Sequence, residues 1–201
     1  IMPNICENTI QINGTKENFD KFLEDTKDMG YEGRFNIGEE EDAPTINILK
    51  AKPMPEEFHL ISTGSCDIDG TRVDLWWYRS KITGEIEKND IFSQDENLVA
   101  EEVPQDYQDE LTNKYGSTNW YDWAYDNWGT KWVTQVLLDT VIENTNSYEE
   151  DIWVEFTVDS AWGPPVYLLQ SIADKYNLQI GCRWWEEGGE AGWEHINPQE
   201  S

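Results

Sequence analysis

The stretch that decides the fold runs from Asp151 to Glu186: DIWVEFTVDSAWGPPVYLLQSIADKYNLQIGCRWWE. It opens with Ile152, Val154, Phe156 and Val158 alternating with Trp153, Glu155 and Thr157, the period-two pattern of a strand with one buried face. Gly163-Pro164-Pro165 then starts a helix that runs to about Tyr176, because proline fits the first turn of a helix and not its interior. Leu168, Leu169 and Ile172 form its buried stripe, and Leu178 to Trp185 reads as a second strand. Gly188-Gly189 turns the chain, and Ala191 to Ile196 returns as a short strand.

The same grammar appears at the other end. Ile5 to Gly14 reads as a strand with Ile10 and Ile12 on one face, closed by an Asn13-Gly14 turn. Thr15 caps a helix predicted to reach about Met29, with Phe19, Phe22 and Leu23 as its apolar stripe and Gly30 as its stop. Trp132 to Ile142 is rich in β-branched residues and is expected to pair with Ile152 to Val158 as a hairpin. Strand, helix, strand, strand, helix, strand gives an α+β class: a ferredoxin-like split βαβ sandwich, one antiparallel sheet with two helices on one face. A large insertion follows the first helix. Residues 2–30 and 131–197 are expected to form the sandwich, and residues 31–130 an inserted acidic, Trp-rich subdomain.

Within the insertion, residues 31–55 read as loop, with an acidic run from Glu39 to Asp42 and prolines at 44, 53 and 55. Phe58 to Ile61 suits a short strand or a helical turn, and Thr71 to Arg79 a strand that Thr83-Gly84 turns back into Glu85 to Ile91. The Ser65-to-Gly70 stretch reads as a solvated turn. It resembles a calcium loop only until its twelfth position, Trp76, which supplies no carboxylate. Pro104 starts a helix with Tyr107, Leu111 and Tyr115 on one face, and Gly116 ends it. A second helix is expected from Ser117 or Thr118 to Gly129.

Composition narrows the function. Forty-one Asp and Glu against fourteen Lys and Arg leave a formal charge of −27. Eleven Trp, nine Tyr and six Phe separate the chain from disordered acidic proteins, which are poor in aromatics. Lys outnumbers Arg, and Asn and Ile are common, which favours an ordinary coding background over adaptation to salt. A field of this sign repels nucleic acid and anionic membranes and attracts basic proteins. No apolar run approaches transmembrane length, and no basic stretch followed by an apolar one marks a signal peptide near Met2, which reads as the natural start. Cys6, Cys66 and Cys182 are odd in number and far apart, so reduced thiols in the cytoplasm are expected.

Three segments carry a resemblance. Met2 to Asn8 with Ile10, Ile12 and Gly14 is the first. Tyr115-Gly116, Asn119 to Trp123 and Asn127 to Trp132 are the second, and Phe156-Thr157, Ala161 to Pro165 and Glu186 to Gly188 the third. In this order they resemble the YubB-type ferredoxin-like domain of plasmids and phages. The resemblance implies the sandwich fold and a mobile-element origin. It brings no established activity or catalytic residue, so the Trp-rich motifs are read first as structural.

Enzyme signatures are weak. Serine-hydrolase, P-loop and dinucleotide motifs are missing, and among so many acids a pair suited to glycoside hydrolysis carries no information. His59 and His195 are the only histidines, so Glu186, Glu187, Glu190, Glu194 and His195 read as edge-strand charges rather than a metal site. No catalytic residue, metal or cofactor is expected. The leading expectation is a non-enzymatic protein that inhibits a basic nucleic-acid-handling host or defence protein, of anti-CRISPR or anti-restriction type, by phosphate mimicry. Direct nucleic-acid binding is not expected, because only Lys114 and Lys131 flank the central Trp segment. The expected partner-binding residues are Glu85, Glu87, Asp90, Asp95, Glu96, Glu101, Glu102, Asp106 and Asp109. The alternative is a nucleotide- or sugar-binding module with a pocket lined by Trp120, Trp123, Trp128 and Trp162.

Overall fold

A computed structural model describes residues 4–30, 43–87, 95–145 and 151–199. In chain order the elements are β1 (Ile5–Thr15), α1 (Lys16–Thr26), β2 (Lys27–Met29), β3 (Pro44–Ile46), β4 (Ser62–Ile68) and β5 (Thr71–Ser80). There follow β6 (Ile86–Glu87), β7 (Leu98–Glu102), α2 (Gln105–Tyr115), α3 (Trp120–Trp128), β8 (Val136–Leu137) and β9 (Ile142–Thr145). The chain closes with β10 (Asp151–Ala161), α4 (Val166–Tyr176), β11 (Gln179–Glu186) and β12 (Ala191–Ile196). The class is α+β with antiparallel sheets. Contacts divide the chain into two units, Ile1–Pro53 with Tyr125–Ser201, and Met54–Ala124, so the division falls inside α3.

The first unit is built on a five-stranded sheet in the order β12-β11-β1-β10-β9, each neighbouring pair antiparallel. In the central strand Ile10 lies between Phe156 and Cys182, and Ile12 between Val154 and Ile180. All six are buried. α1 and α4 contact each other and this sheet, covering the face that carries those residues. Thr15 accepts a hydrogen bond from the Asn18 amide at 3.3 Å, capping α1. Phe22, fully buried, meets the ring of Tyr176 edge-on at 5.5 Å.

Several expectations for this unit are corrected. α1 ends at Thr26, not near Met29. The Thr26 hydroxyl donates back to the Phe22 carbonyl at 2.7 Å, and residues 27–29 leave the helix to pair with β3, so tertiary pairing overrides helical propensity. Residues 132–142 do not form one strand. Val133 bridges Ser160, β9 pairs with β10 further along, and the stretch between leaves the edge as β8 and a 3-10 turn over Leu138–Thr140. β8 pairs with β3, which belongs to the stretch read as loop. Asn13 and Gly14 also stay in strand β1 instead of forming a turn.

In the second unit β5 is central, with β4 and β6 following one another along one edge and β7 along the other. β4 occupies residues read as a turn. Only Asp69-Gly70 turns, with φ of 51° and 81°, the two positive values of a type I′ two-residue hairpin loop. Glu56–Leu60 settles as a 3-10 helix that buries Phe58 against Tyr115 and Trp123, at ring distances of 5.4 and 6.3 Å. α2 follows Pro104 and stops at Gly116. α3 starts at Trp120, later than Ser117 or Thr118, because Asn119 caps it by accepting from the Tyr121 and Asp122 amides, each at 3.0 Å. Glu85 to Ile91 contributes β6 at Ile86–Glu87; residues 88–91 lie outside the described part.

Candidate functional site

The predicted partner-binding acids fall in the second unit and behave differently from one another. Glu101 is half-exposed and already engaged: Arg79 Nε donates to both its oxygens, at 3.0 and 2.9 Å, and Trp77 Nε1 reaches it at 3.4 Å. Glu87 is half-buried and accepts from Thr83 Oγ1 at 3.4 Å. Asp95 is exposed and ties the Asn97 amide at 2.8 Å. Glu85, Glu96, Glu102, Asp106 and Asp109 are exposed, as is Glu110 beside them. Asp90 lies outside the described residues.

One anchored stretch presents three of these acids together with Glu110. Val103 is buried, its amide donates to Leu75 O at 3.1 Å, and its carbonyl accepts from Gln108 Nε2 at 2.8 Å. Those bonds lock the end of β7 to the start of α2. Glu102 precedes this anchor, and Asp106, Asp109 and Glu110 follow it at helical spacing on one face. Asp106, Asp109, Glu110, Asn113 and Lys114 line an open depression of about 580 Å³. The one cation there, Lys114, is already engaged: its Nζ donates to Glu57 at 2.8 Å, and Tyr115 Oη reaches the same oxygen at 2.9 Å.

That engagement has a pH signature. The hydrogen bond from Lys114, helped by Tyr115, pulls the Glu57 carboxyl down to about 2 and pushes Lys114 upward. A depressed carboxyl stabilises the fold above its unfolded pKa, and that stabilisation is lost as pH falls through the folded value. Glu57→Gln is therefore expected to lower the thermal midpoint at neutral pH, and the gap to the parent chain to close between the ordinary 4.5 and about 2. Melting curves across that range check it; a gap that does not change with pH contradicts it.

The four predicted pocket tryptophans are placed as follows. Trp123 and Trp128 are buried, and Trp128 Nε1 donates to Lys52 O at 2.9 Å. Trp120 is half-buried, edge-on to Tyr121 at 5.7 Å. Trp162 is 38 % exposed and stacks on Tyr125 at 6.2 Å. Trp120 and Trp123 belong to the second unit, Trp128 and Trp162 to the first.

The sequence motifs converge at one end of the five-stranded sheet, where they satisfy one another. Asn8 Nδ2 donates to Cys6 O, Val158 O and Ser160 Oγ at 2.9, 3.2 and 2.8 Å, and Ser160 Oγ donates to Gly163 O at 2.7 Å. Thr130 Oγ1 donates to Ala161 O and accepts from its amide. The Trp162 amide donates to Asn4 O at 2.9 Å, and buried Glu186 accepts from the Gly188 amide at 2.7 Å. Burial pushes the thiols of Cys6 and Cys182 up to about 11 and about 12, so neither is a thiolate nucleophile at neutral pH. Sequence reasoning missed this network, whose signal was polar residues, Asn8 and Ser160, at buried-face positions of β1 and β10.

Among the described residues no cluster of three or more His, Cys, Asp or Glu is arranged to hold a metal ion, and no helix is long and apolar enough to cross a membrane. No family model, curated protein or solved structure matches the chain.

Proposed function

We propose that this chain is a non-enzymatic acidic protein that binds and inhibits a basic nucleic-acid-handling protein by imitating phosphate charge. The carrying observation is the row on α2. Asp106, Asp109 and Glu110 are exposed on one face of a helix held at its start by Val103. From Asp106 to Glu110 the helix rises ~6 Å, so its three carboxylates are ~3 Å apart on average, near the ~3.4 Å charge spacing along one DNA strand. Duplex DNA carries one charge per ~1.7 Å of axis. Glu102 extends the row at its near end, and Glu57 occupies the neighbouring Lys114.

A ferredoxin-like split βαβ sandwich is the reading of the scaffold supported by the β11-β1-β10-β9 order with α1 and α4 on one face. Together with the YubB-type resemblance, it favours a plasmid or phage protein acting in the host cytoplasm on a defence component, such as a CRISPR effector or restriction enzyme. Association through such charges is fast and weakened by salt. The test is capture from a bacterial host lysate on the immobilised chain at low and moderate salt. The expected result is a basic DNA- or RNA-handling protein retained at low salt and released at moderate salt. Retention of neutral or acidic proteins alone contradicts the proposal.

A further inference from the structure

The five-stranded sheet has a second face, opposite the one covered by α1 and α4. Strand alternation places Glu7, Glu155, Gly181, Arg183, Trp185 and Trp193 on it. Trp185 and Trp193 are 53 % and 51 % exposed. Trp193 lies over the sheet: a Cβ added at Gly181 would come within 2.8 and 3.0 Å of two carbons of its indole. Glycine at 181 thus lets the ring rest on the backbone of β11. Arg183 is directly opposite Trp193, and Ala191 opposite Trp185, so the two indoles are diagonal neighbours on one face. Glu7 is directly opposite Trp185.

Charge decides what such a face takes. On this face the five strands place four acids, Glu7, Asp151, Glu155 and Asp159, and Arg183 as the single Lys or Arg. One guanidinium does not hold a phosphate chain against that field. A cation is favoured on both counts, by the carboxylates and by the negative faces of the indoles. Guanidinium suits the geometry better than ammonium, because its plane stacks on a ring while its edge N–H groups remain free for a carboxylate.

We propose that this face is a contact surface for arginine side chains of a basic polypeptide, which stack on Trp185 and Trp193 beside Glu7. It shares with the proposed function only the premise of a basic partner, and it uses none of the acids on α2.

The test is fluorescence anisotropy with labelled nona-arginine, nona-lysine and oligothymidylate on the full chain. The Trp185→Ala/Trp193→Ala double variant is expected to bind nona-arginine about tenfold more weakly, at unchanged net charge, and to lose less for nona-lysine. Gly181→Ala is the second variant. It lifts the Trp193 ring while leaving both indoles in the chain, and a several-fold loss is expected. Lysine substitutions at Glu102, Asp106 and Asp109 are expected to preserve the difference between the Trp variants and their parent, which separates this surface from the α2 row. Equal nona-arginine affinity in parent and double variant overturns the proposal. Tighter binding of oligothymidylate than of nona-arginine overturns it too, making the face a base-stacking platform.

Discussion

Changing Glu102, Asp106 and Asp109 together to lysine is expected to weaken binding of the basic partner by more than ~100-fold, about 2.7 kcal/mol, while the protein stays folded. The three side chains are exposed and flank one anchored junction, so a cationic groove that grips one meets all three. Truncating one member of a desolvated charge pair costs about 2–5 kcal/mol, and reversal adds repulsion to each lost attraction. The fold has little at stake. Among the described residues Asp106 bonds only its neighbouring Tyr107 amide, at 3.0 Å, and Asp109 only Gln105, at 2.9 Å. Lysine at 106 faces the positive end of α2 and costs about 0.3–1 kcal/mol. The drop in formal charge from −27 to −21 (six units for three reversals) offsets part of that by easing self-repulsion. Glu101→Lys is the informative contrast. It breaks the half-exposed Arg79 ion pair that links β5 to β7 and is expected to lower the melting temperature. Unchanged partner binding in the triple variant, measured beside its melting curve, counts against mimicry.

The second large effect is on stability. Asn8→Ala is expected to cost about 3 kcal/mol, lowering the thermal midpoint by roughly 6–12 °C. Asn8 is fully buried in the central strand, and its amide nitrogen serves Cys6 O, Val158 O and Ser160 Oγ. Ser160 in turn holds Gly163 at the turn into α4. Alanine leaves these acceptors in a site without compensating donors, and the lost bonds belong to one network that also sets the path from β10 to α4. Nona-arginine affinity of the folded fraction is expected to stay the same. A variant as stable as its parent would contradict the structural reading of the motifs that meet there.

The two ends of the chain were legible because each element faces a single environment. β10 shows a clean alternation, and α4 has both a proline start and an apolar stripe. Residues 132–142 were not legible, since their β-branched run is shared between two partners, β10 and β3, and no local pattern encodes that division. β4 was hidden because Ser62–Ile68 is polar and glycine-containing and is held by cross-strand pairing to β5. For the acids, sequence gave number and neighbourhood but not engagement. Glu101 and Glu102 are adjacent in the chain, yet alternation sends one toward Arg79 and the other to solvent. The indoles of the open sheet face were visible as letters; that Trp193 rests on Gly181 depends on the pairing of β11 with β12.

The most direct measurement of the central claim is displacement of a labelled DNA duplex from a basic nucleic-acid-handling protein by this chain, titrated at low and at moderate salt. The account predicts full displacement at low salt and an apparent affinity that falls about tenfold or more as the salt rises. Duplex that stays bound at saturating protein, or displacement indifferent to salt, would contradict it.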